Sequence, residues 1–77
     1  ITITYDHHSH DANSDLTSIQ HDFGDVIICS THIHVDHDHC LEVIVTRGKS
    51  GNIKELVKEL GKLRCIESVS PVITTII

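Results

Sequence analysis

Two segments with a helical spacing of apolar residues separate four β-prone segments, and the order of these segments constrains the fold more than any other feature. The first β-prone segment is the alternating, β-branched stretch at residues 1–5, and residues 26–35 and 41–45 form two more between the helical segments. Residues 69–77 form the last, although Pro71 interrupts it early. The apolar positions with helical spacing are Ala12, Leu16, Ile19 and Phe23 in the first helical segment and Ile53, Leu56, Val57, Leu60 and Leu63 in the second.

The order strand, helix, strand, strand, helix, strand predicts an α+β fold. It is the order of the ferredoxin-like, split βαβ motif, in which two helices pack on one face of a four-stranded antiparallel sheet. Asp36–His39 is predicted as the turn between the middle strands, and Asn52 and Glu55 have the spacing of a capping box at the start of the second helix. We expect residues 1–77 to form a single domain.

The core of such a domain must be small. The chain has 77 residues, and Tyr5 and Phe23 are its only aromatic residues. A chain of this length buries only roughly 60–65% of its unfolded surface, and small domains often gain stability from a metal or from oligomerisation. The second face of the sheet has no helix to cover it, so we expect this face or the sheet edges to mediate self-association.

Charge excludes one class of partner. The formal net charge is -5, and the six basic residues are confined to positions 47–64. A nucleic-acid binder needs clustered Lys and Arg to neutralise phosphates, so this chain alone should not bind DNA well. No run of 18 or more apolar residues occurs, so we expect no membrane-spanning helix.

The three cysteines predict reduced thiols. An odd number argues against a framework of disulfides and favours a cytosol-like compartment, so we predict a cytoplasmic protein. Cys29 follows the apolar run at residues 26–28, and Cys65 begins the last apolar segment, so both are predicted to be small packed side chains. Cys40 differs because it lies close to several histidines.

The stretch at residues 31–40 is rich in metal-ligand side chains. Alternate side chains of a strand project from the same face, so His32 and His34 should project together while Ile33 faces the other way. A turn after them could bring Cys40 beside the two imidazoles. Two imidazoles and a thiolate suit nickel, copper or zinc rather than magnesium or calcium.

Several histidines have a second interpretation as solvated surface residues. His37 and His39 belong to the predicted turn, where Asp36 and Asp38 are expected to bind backbone N–H groups rather than a metal. His21 should point away from the apolar positions of its own helix, where it could be an exposed histidine or a ligand for a neighbouring subunit. The sequence leaves open whether weaker auxiliary sites exist. The candidates for such sites are His7, His8, His10, His37 and His39.

One competing motif predicts an enzyme. His32-x-His34-x-Asp36-His37 matches the HxHxDH signature of metallo-β-lactamase-type hydrolases, in which zinc activates water. Those enzymes need a larger two-sheet sandwich and further ligands downstream, but no histidine follows His39. We therefore predict a metal-binding regulatory module and not an enzyme.

The same residues resemble the C-terminal domain of the nickel-responsive transcription regulators called NikR. The resemblance is strongest at Gln20-His21-Asp22, at Tyr5-Asp6-His7 and in the string HIHVDHDHCLE at residues 32–42, and it extends over essentially the whole chain. It implies a ferredoxin-like domain of the ACT type that forms a tetrameric core. The family's N-terminal ribbon-helix-helix DNA-binding domain is absent from these residues, so any DNA binding is expected to require that separate domain.

The resemblance also implies a ligand set. Square-planar Ni(II) would be held by His32, His34 and Cys40 of one subunit and by His21 of another. Gln20 and Glu42, with Tyr5 as a further candidate, would orient the ligands. Two other functions are alternatives to nickel sensing. One is an ACT-like domain that binds a small metabolite, against which the histidine-rich strand argues, and the other is a metal storage or delivery protein.

Overall fold

The computed structural model describes residues 1–6, 8, 12–72 and 74. The elements are β1 (Thr2–Asp6), α1 (Ala12–Asp22), β2 (Ile27–His34), β3 (His39–Thr46), α2 (Ser50–Gly61) and β4 (Ile66–Ser70). The strands form one sheet in the order β2-β3-β1-β4, and every neighbouring pair is antiparallel. This is the predicted ferredoxin-like α+β architecture.

Both helices pack on the same face of the sheet. Alternate residues of the two central strands, such as Ile3 in β1 and Ile44 in β3, are almost fully buried beneath the helices. Leu16 of α1 and Leu56 and Leu60 of α2 complete the core from the helix side. The helical and strand periodicities seen in the sequence therefore converge on one aliphatic core.

The opposite face of the sheet has no covering element among the described residues. Ile33 of β2 and Val45 of β3 are 47% and 44% exposed, and Val35, which follows β2, is 58% exposed. Strand alternation directs these side chains away from the helices. The prediction that helices cover only one face is thus confirmed, whereas self-association through the open face stays a prediction. Neither helix of the described chain is long and apolar enough to cross a membrane.

The predicted capping box at the second helix is wrong. The helix begins at Ser50, and Lys49 is its N-cap residue without a side-chain cap hydrogen bond. Asn52 lies inside the first turn, where its backbone N–H donates to the Lys49 carbonyl oxygen at 3.0 Å. Its side chain is therefore not at the capping position.

The last strand also differs from its predicted extent. β4 begins at Ile66, before the predicted residue 69, and ends at Ser70. Ser70 pairs with Thr2, the first residue of β1, and Pro71 has no N–H to continue the ladder. Positions 73 and 75–77 of the predicted strand lie outside the described residues.

The predicted burial of Cys29 is wrong, whereas that of Cys65 is confirmed. Cys65 is 4% exposed in the core, but Cys29 is exposed on β2. β2 is an edge strand, and its pairing with β3 shifts between Ile27 and Cys29. Cys29 is paired with Val45, which lies on the uncovered face of the sheet, so an apolar run in the sequence did not ensure burial.

Candidate metal centre

A tight hairpin brings two histidines and a cysteine together at one end of the sheet. His34 of β2 is paired directly with Cys40 of β3, and His32 is paired with Glu42. One ligand atom from each of His32, His34 and Cys40 lies within 4.8 Å of the others. The three candidate ligands predicted within one chain are thus brought together.

The three side chains enter the group from different environments. Cys40 is fully buried, whereas the two histidines are exposed. The Cys40 Sγ is 3.6 Å from the His34 Nδ1, and the two imidazole centroids are 4.8 Å apart with their planes inclined by 50°. A thiol from the core and two imidazoles from the strand edge therefore surround a point that is open to solvent.

Asp36 closes the hairpin that sets this geometry. Its Oδ1 accepts hydrogen bonds from the backbone N–H groups of Asp38 and His39, both at 2.8 Å. The His39 Nδ1 lies 2.9 Å from the same oxygen. The interpretation of Asp36 as a turn residue that binds N–H groups is confirmed.

The Asp36–His39 contact changes the acidity of both side chains. The hydrogen bond with His39 is the main reason why the pKa of Asp36 is lowered. The same hydrogen bond, followed by the charge of Asp36 and then that of Glu67, raises the pKa of His39. Both residues stay exposed in the turn, so His39 fits a turn role better than a ligand role.

A buried carboxylate lies beside the candidate ligands. Glu42 is only 6% exposed, and the Gln20 Nε2 donates a hydrogen bond of 2.8 Å to its Oε2. The Tyr5 hydroxyl makes a longer contact of 3.5 Å to the Glu42 Oε1. Glu42 thereby links the sheet to α1 through Gln20.

Tyr5 connects this carboxylate to the imidazole of His32. The two rings are stacked with an interplanar angle of 18°, at a centroid distance of 6.1 Å. Burial, and then the charges of Glu42 and Cys40, raise the pKa of Tyr5 to about 12. The hydroxyl therefore remains protonated at neutral pH and can donate to Glu42. Tyr5 thus contacts both His32 and Glu42, and Gln20 contacts Glu42, so the three residues form one connected group.

A polar cavity of about 360 Å³ opens between α1 and the sheet, beside Gln20, His32 and Glu42. Of the three candidate ligands, His32 lines this cavity. His21 is exposed in the last turn of α1 and is not part of the three-residue group. Among the described residues, this group of one chain therefore contains three ligand atoms and does not include His21.

Of the histidines considered for auxiliary sites, His7 and His10 lie outside the described residues. His8 and His37 form a second group with Asp38, separate from the first. From the sequence these histidines were open candidates, because the approach of His8 to His37 depends on the pairing of β1 with β3, which no local pattern shows.

A ferredoxin-like domain with a histidine–cysteine group at a strand hairpin defines a candidate metal-binding domain. Residues 1–74 match the family described as the NikR C terminal nickel binding domain. The chain belongs to this family, which confirms the resemblance drawn from residues 32–42. The matched family is described as a nickel-binding domain and not as an enzyme, in agreement with the prediction that this chain is not an enzyme.

Curated relatives agree with this assignment. A protein of Methanococcus vannielii is 48% identical over 69 residues, which are 90% of this chain and 49% of that protein. A protein of Methanocaldococcus jannaschii is 42% identical over 69 residues, which are 90% of this chain and 49% of that protein. A protein of Chlorobium phaeobacteroides is 43% identical over 70 residues, which are 91% of this chain and 52% of that protein. Each is named "Putative nickel-responsive regulator". The chain spans about half the length of these relatives.

A solved structure shares the fold. The uncharacterized protein TM1266 of Thermotoga maritima superposes with a TM-score of 0.75 over 86% of this chain and 82% of that chain. The sequences are only 18% identical, so this likeness concerns the architecture alone.

Proposed function

We propose that the chain is the nickel-sensing and oligomerisation domain of a nickel-dependent transcriptional repressor of the cytoplasm. Ni(II) is held by His32, His34 and Cys40 of one subunit and by His21 of a second subunit. The convergence of three ligand atoms within 4.8 Å is the observation that supports this proposal most strongly. The response to nickel is inferred from the curated relatives, which are named as putative nickel-responsive regulators.

The donor set fits the proposed ion. Imidazole nitrogen and thiolate sulfur are borderline and soft donors that suit late first-row metals, while Mg²⁺ and Ca²⁺ prefer oxygen. The fully buried Cys40 supplies a sulfur donor, which these hard ions bind poorly. A bound nickel ion would supply a fixed charge and a geometric clamp, and the protein residues would set its position.

The Glu42 network supports a role in orienting the ligands. Residues that contact metal ligands fix their rotamers and tautomers and thereby tune metal affinity. Tyr5 stacks on His32, and Gln20 and Tyr5 both contact Glu42. Because Gln20 precedes His21 on α1, the same network connects the centre to the helix that presents the proposed fourth ligand.

Two observations support assembly through a shared ion. His21 is exposed, so a second chain can reach it, and the group within one chain contains only three ligands. The uncovered, partly apolar sheet face offers a further surface for association into the proposed tetramer. An ion that binds only the assembled state stabilises that state, which couples nickel to assembly.

The proposed repressor binds DNA through a separate ribbon-helix-helix domain. The curated relatives are about twice as long as the matched region, which leaves room for such a domain. The present residues have a net charge of -5, which disfavours binding to a duplex by these residues alone. Nickel in this domain would therefore act on DNA by positioning other domains.

A nickel titration against a competing chelator tests the proposal. Nickel should produce a thiolate-to-nickel absorption band that Cys40→Ala removes, because Cys40 supplies the only sulfur of the group. Cys65→Ala is the matched control, since Cys65 is also buried but lies outside the group, and Cys29→Ala controls for an exposed cysteine. Both controls should retain the band. Loss of the band in either control, or its persistence without Cys40, would refute the assignment.

A further inference from the structure

A second set of metal-ligand side chains lies where His8 meets two residues of the β2–β3 turn, His37 and Asp38. One ligand atom from each of His8, His37 and Asp38 lies within 4.8 Å of the others. The His8 Nε2 is 3.3 Å from the Asp38 Oδ1, and the centroids of the two imidazoles are 5.3 Å apart. No residue belongs to both this set and the first group.

Hydrogen bonds from backbone N–H groups to aspartate side chains fix the backbone at His8 and at Asp38. The His8 N–H donates to the Asp6 Oδ1 at 2.9 Å, and the Asp38 N–H donates to the Asp36 Oδ1 at 2.8 Å. The two positions are adjacent because Asp6 of β1 is paired with His39 of β3. The sheet register therefore brings together side chains that are separated by about 30 residues in sequence.

We propose that His8, His37 and Asp38 bind a second divalent late first-row metal ion, such as nickel or zinc. Two imidazoles and one carboxylate form a borderline donor set, and the exposure of all three residues leaves the remaining coordination positions to water. Because this set has no thiolate and no buried donor, its affinity for nickel is lower than that of the first group.

An ion at this position would crosslink His8, which follows β1, to the turn between β2 and β3, in addition to the pairing of Asp6 with His39. His8 and Asp38 can also form a simple ion pair when His8 is protonated. A metal ion and a proton compete for the same imidazole, so ion-pair formation and metal binding are alternative states of one cluster.

The test is a second titration of protein already loaded with one equivalent of nickel per chain. Isothermal titration calorimetry and equilibrium dialysis with further nickel should show one weaker equivalent. His8→Ala, His37→Ala and Asp38→Asn should each weaken this equivalent by at least about 10-fold, since even the loss of a group that supports a ligand has effects of that size. The thiolate absorption of the first equivalent should not change.

Two further variants separate this proposal from the first. Asp25→Asn removes an exposed carboxylate outside the cluster and should leave the second equivalent intact. Cys40→Ala should abolish the thiolate band yet retain the weak binding of nickel at the His8 cluster, so the two sites can be tested independently. The proposal would be overturned if all three cluster variants still bound the second equivalent of nickel with unchanged affinity. It would also be overturned if no second equivalent bound at millimolar nickel.

Discussion

Glu42 is a buried carboxylate on β3, paired in the sheet with the candidate ligand His32. It is a carboxylate that is 6% exposed, and its described side-chain partners are Gln20 and Tyr5. A buried carboxylate is costly unless hydrogen bonds satisfy it. We infer that its position beside the imidazoles is used to hold them in the geometry that a metal ion requires.

Glu42→Gln should lower nickel affinity while preserving the fold. The amide has nearly the same size but lacks the charge, so the loss should resemble that of other residues that orient metal ligands, on the order of 10- to 100-fold. Chelator competition measures the affinity, and circular dichroism checks the fold. Glu55→Gln makes the same chemical change at an exposed position of α2 and should have no effect. Equal affinities of the two variants would contradict the role of Glu42.

At His39, the contact with Asp36 predicts a defined pH dependence in the metal-free protein. The pKa of His39 is raised from 6.5 and that of Asp36 is lowered from 3.8. The contribution of His39 to stability is complete below pH 6.5 and is lost as pH rises through its raised pKa. The contribution of Asp36 is present above pH 3.8 and is lost as pH falls through its lowered pKa. The pair therefore stabilises the hairpin most between these values.

Asp36→Asn should lower the pKa of His39 towards its ordinary value, as measured by NMR titration of the imidazole. Glu67→Gln should lower the pKa of His39 less, because the charge of Glu67 contributes less to the raised pKa than the hydrogen bond with Asp36 and the charge of Asp36. A larger shift in the Glu67 variant would show that Asp36 is not the dominant partner.

At the scale of elements, the β2–β3 hairpin was the most predictable part of the molecule. Alternation along residues 31–35 correctly assigned His32 and His34 to one face and Ile33 to the other. Five residues separate His34 from Cys40, and Asp36 supplies the turn that pairs them. Local chemistry was sufficient here because strand alternation and turn formation are both short-range.

Apart from the start of α2, the features that sequence could not predict depend on long-range pairing. The end of β4 follows from its register with β1, and the exposure of Cys29 follows from its pairing with Val45 on the uncovered face of the sheet. Both are properties of the assembled sheet. The meeting of His8 with Asp38 has the same origin, since it depends on the register of β1 with β3.

The packing of α2 gives a stability prediction for this element. Leu56 is fully buried against the sheet, so Leu56→Ala should lower the free energy of unfolding by about 2–5 kcal/mol. Lys54→Ala, at an exposed position of the same helix, should change it by less than about 0.5 kcal/mol. Urea unfolding of the metal-free protein at a fixed protein concentration measures both values. A loss below about 1 kcal/mol for Leu56→Ala would contradict the core described for the helix face.

Among the described residues of the molecule, one face of the sheet is uncovered and the group of His32, His34 and Cys40 does not include His21. Ile33, Val35 and Val45 are exposed on or beside the uncovered face, and His21 is exposed on α1. In the proposed square-planar centre, the three ligands of one subunit leave the ion one donor short. Completion of the centre by His21 of a second subunit would satisfy the ion and make assembly depend on nickel, which is the coupling that a sensor requires.

A subunit-mixing experiment tests this central claim most directly. His21→Ala and Cys40→Ala should each lack the complete site when alone. After the two variants are refolded together, a hybrid interface can combine an intact His21 from one chain with intact His32, His34 and Cys40 from the other. For random pairing of equal amounts, about a quarter of all sites should regain the nickel–thiolate absorption. No recovery, although mass spectrometry demonstrates that the subunits have exchanged, would show that His21 does not act across the interface.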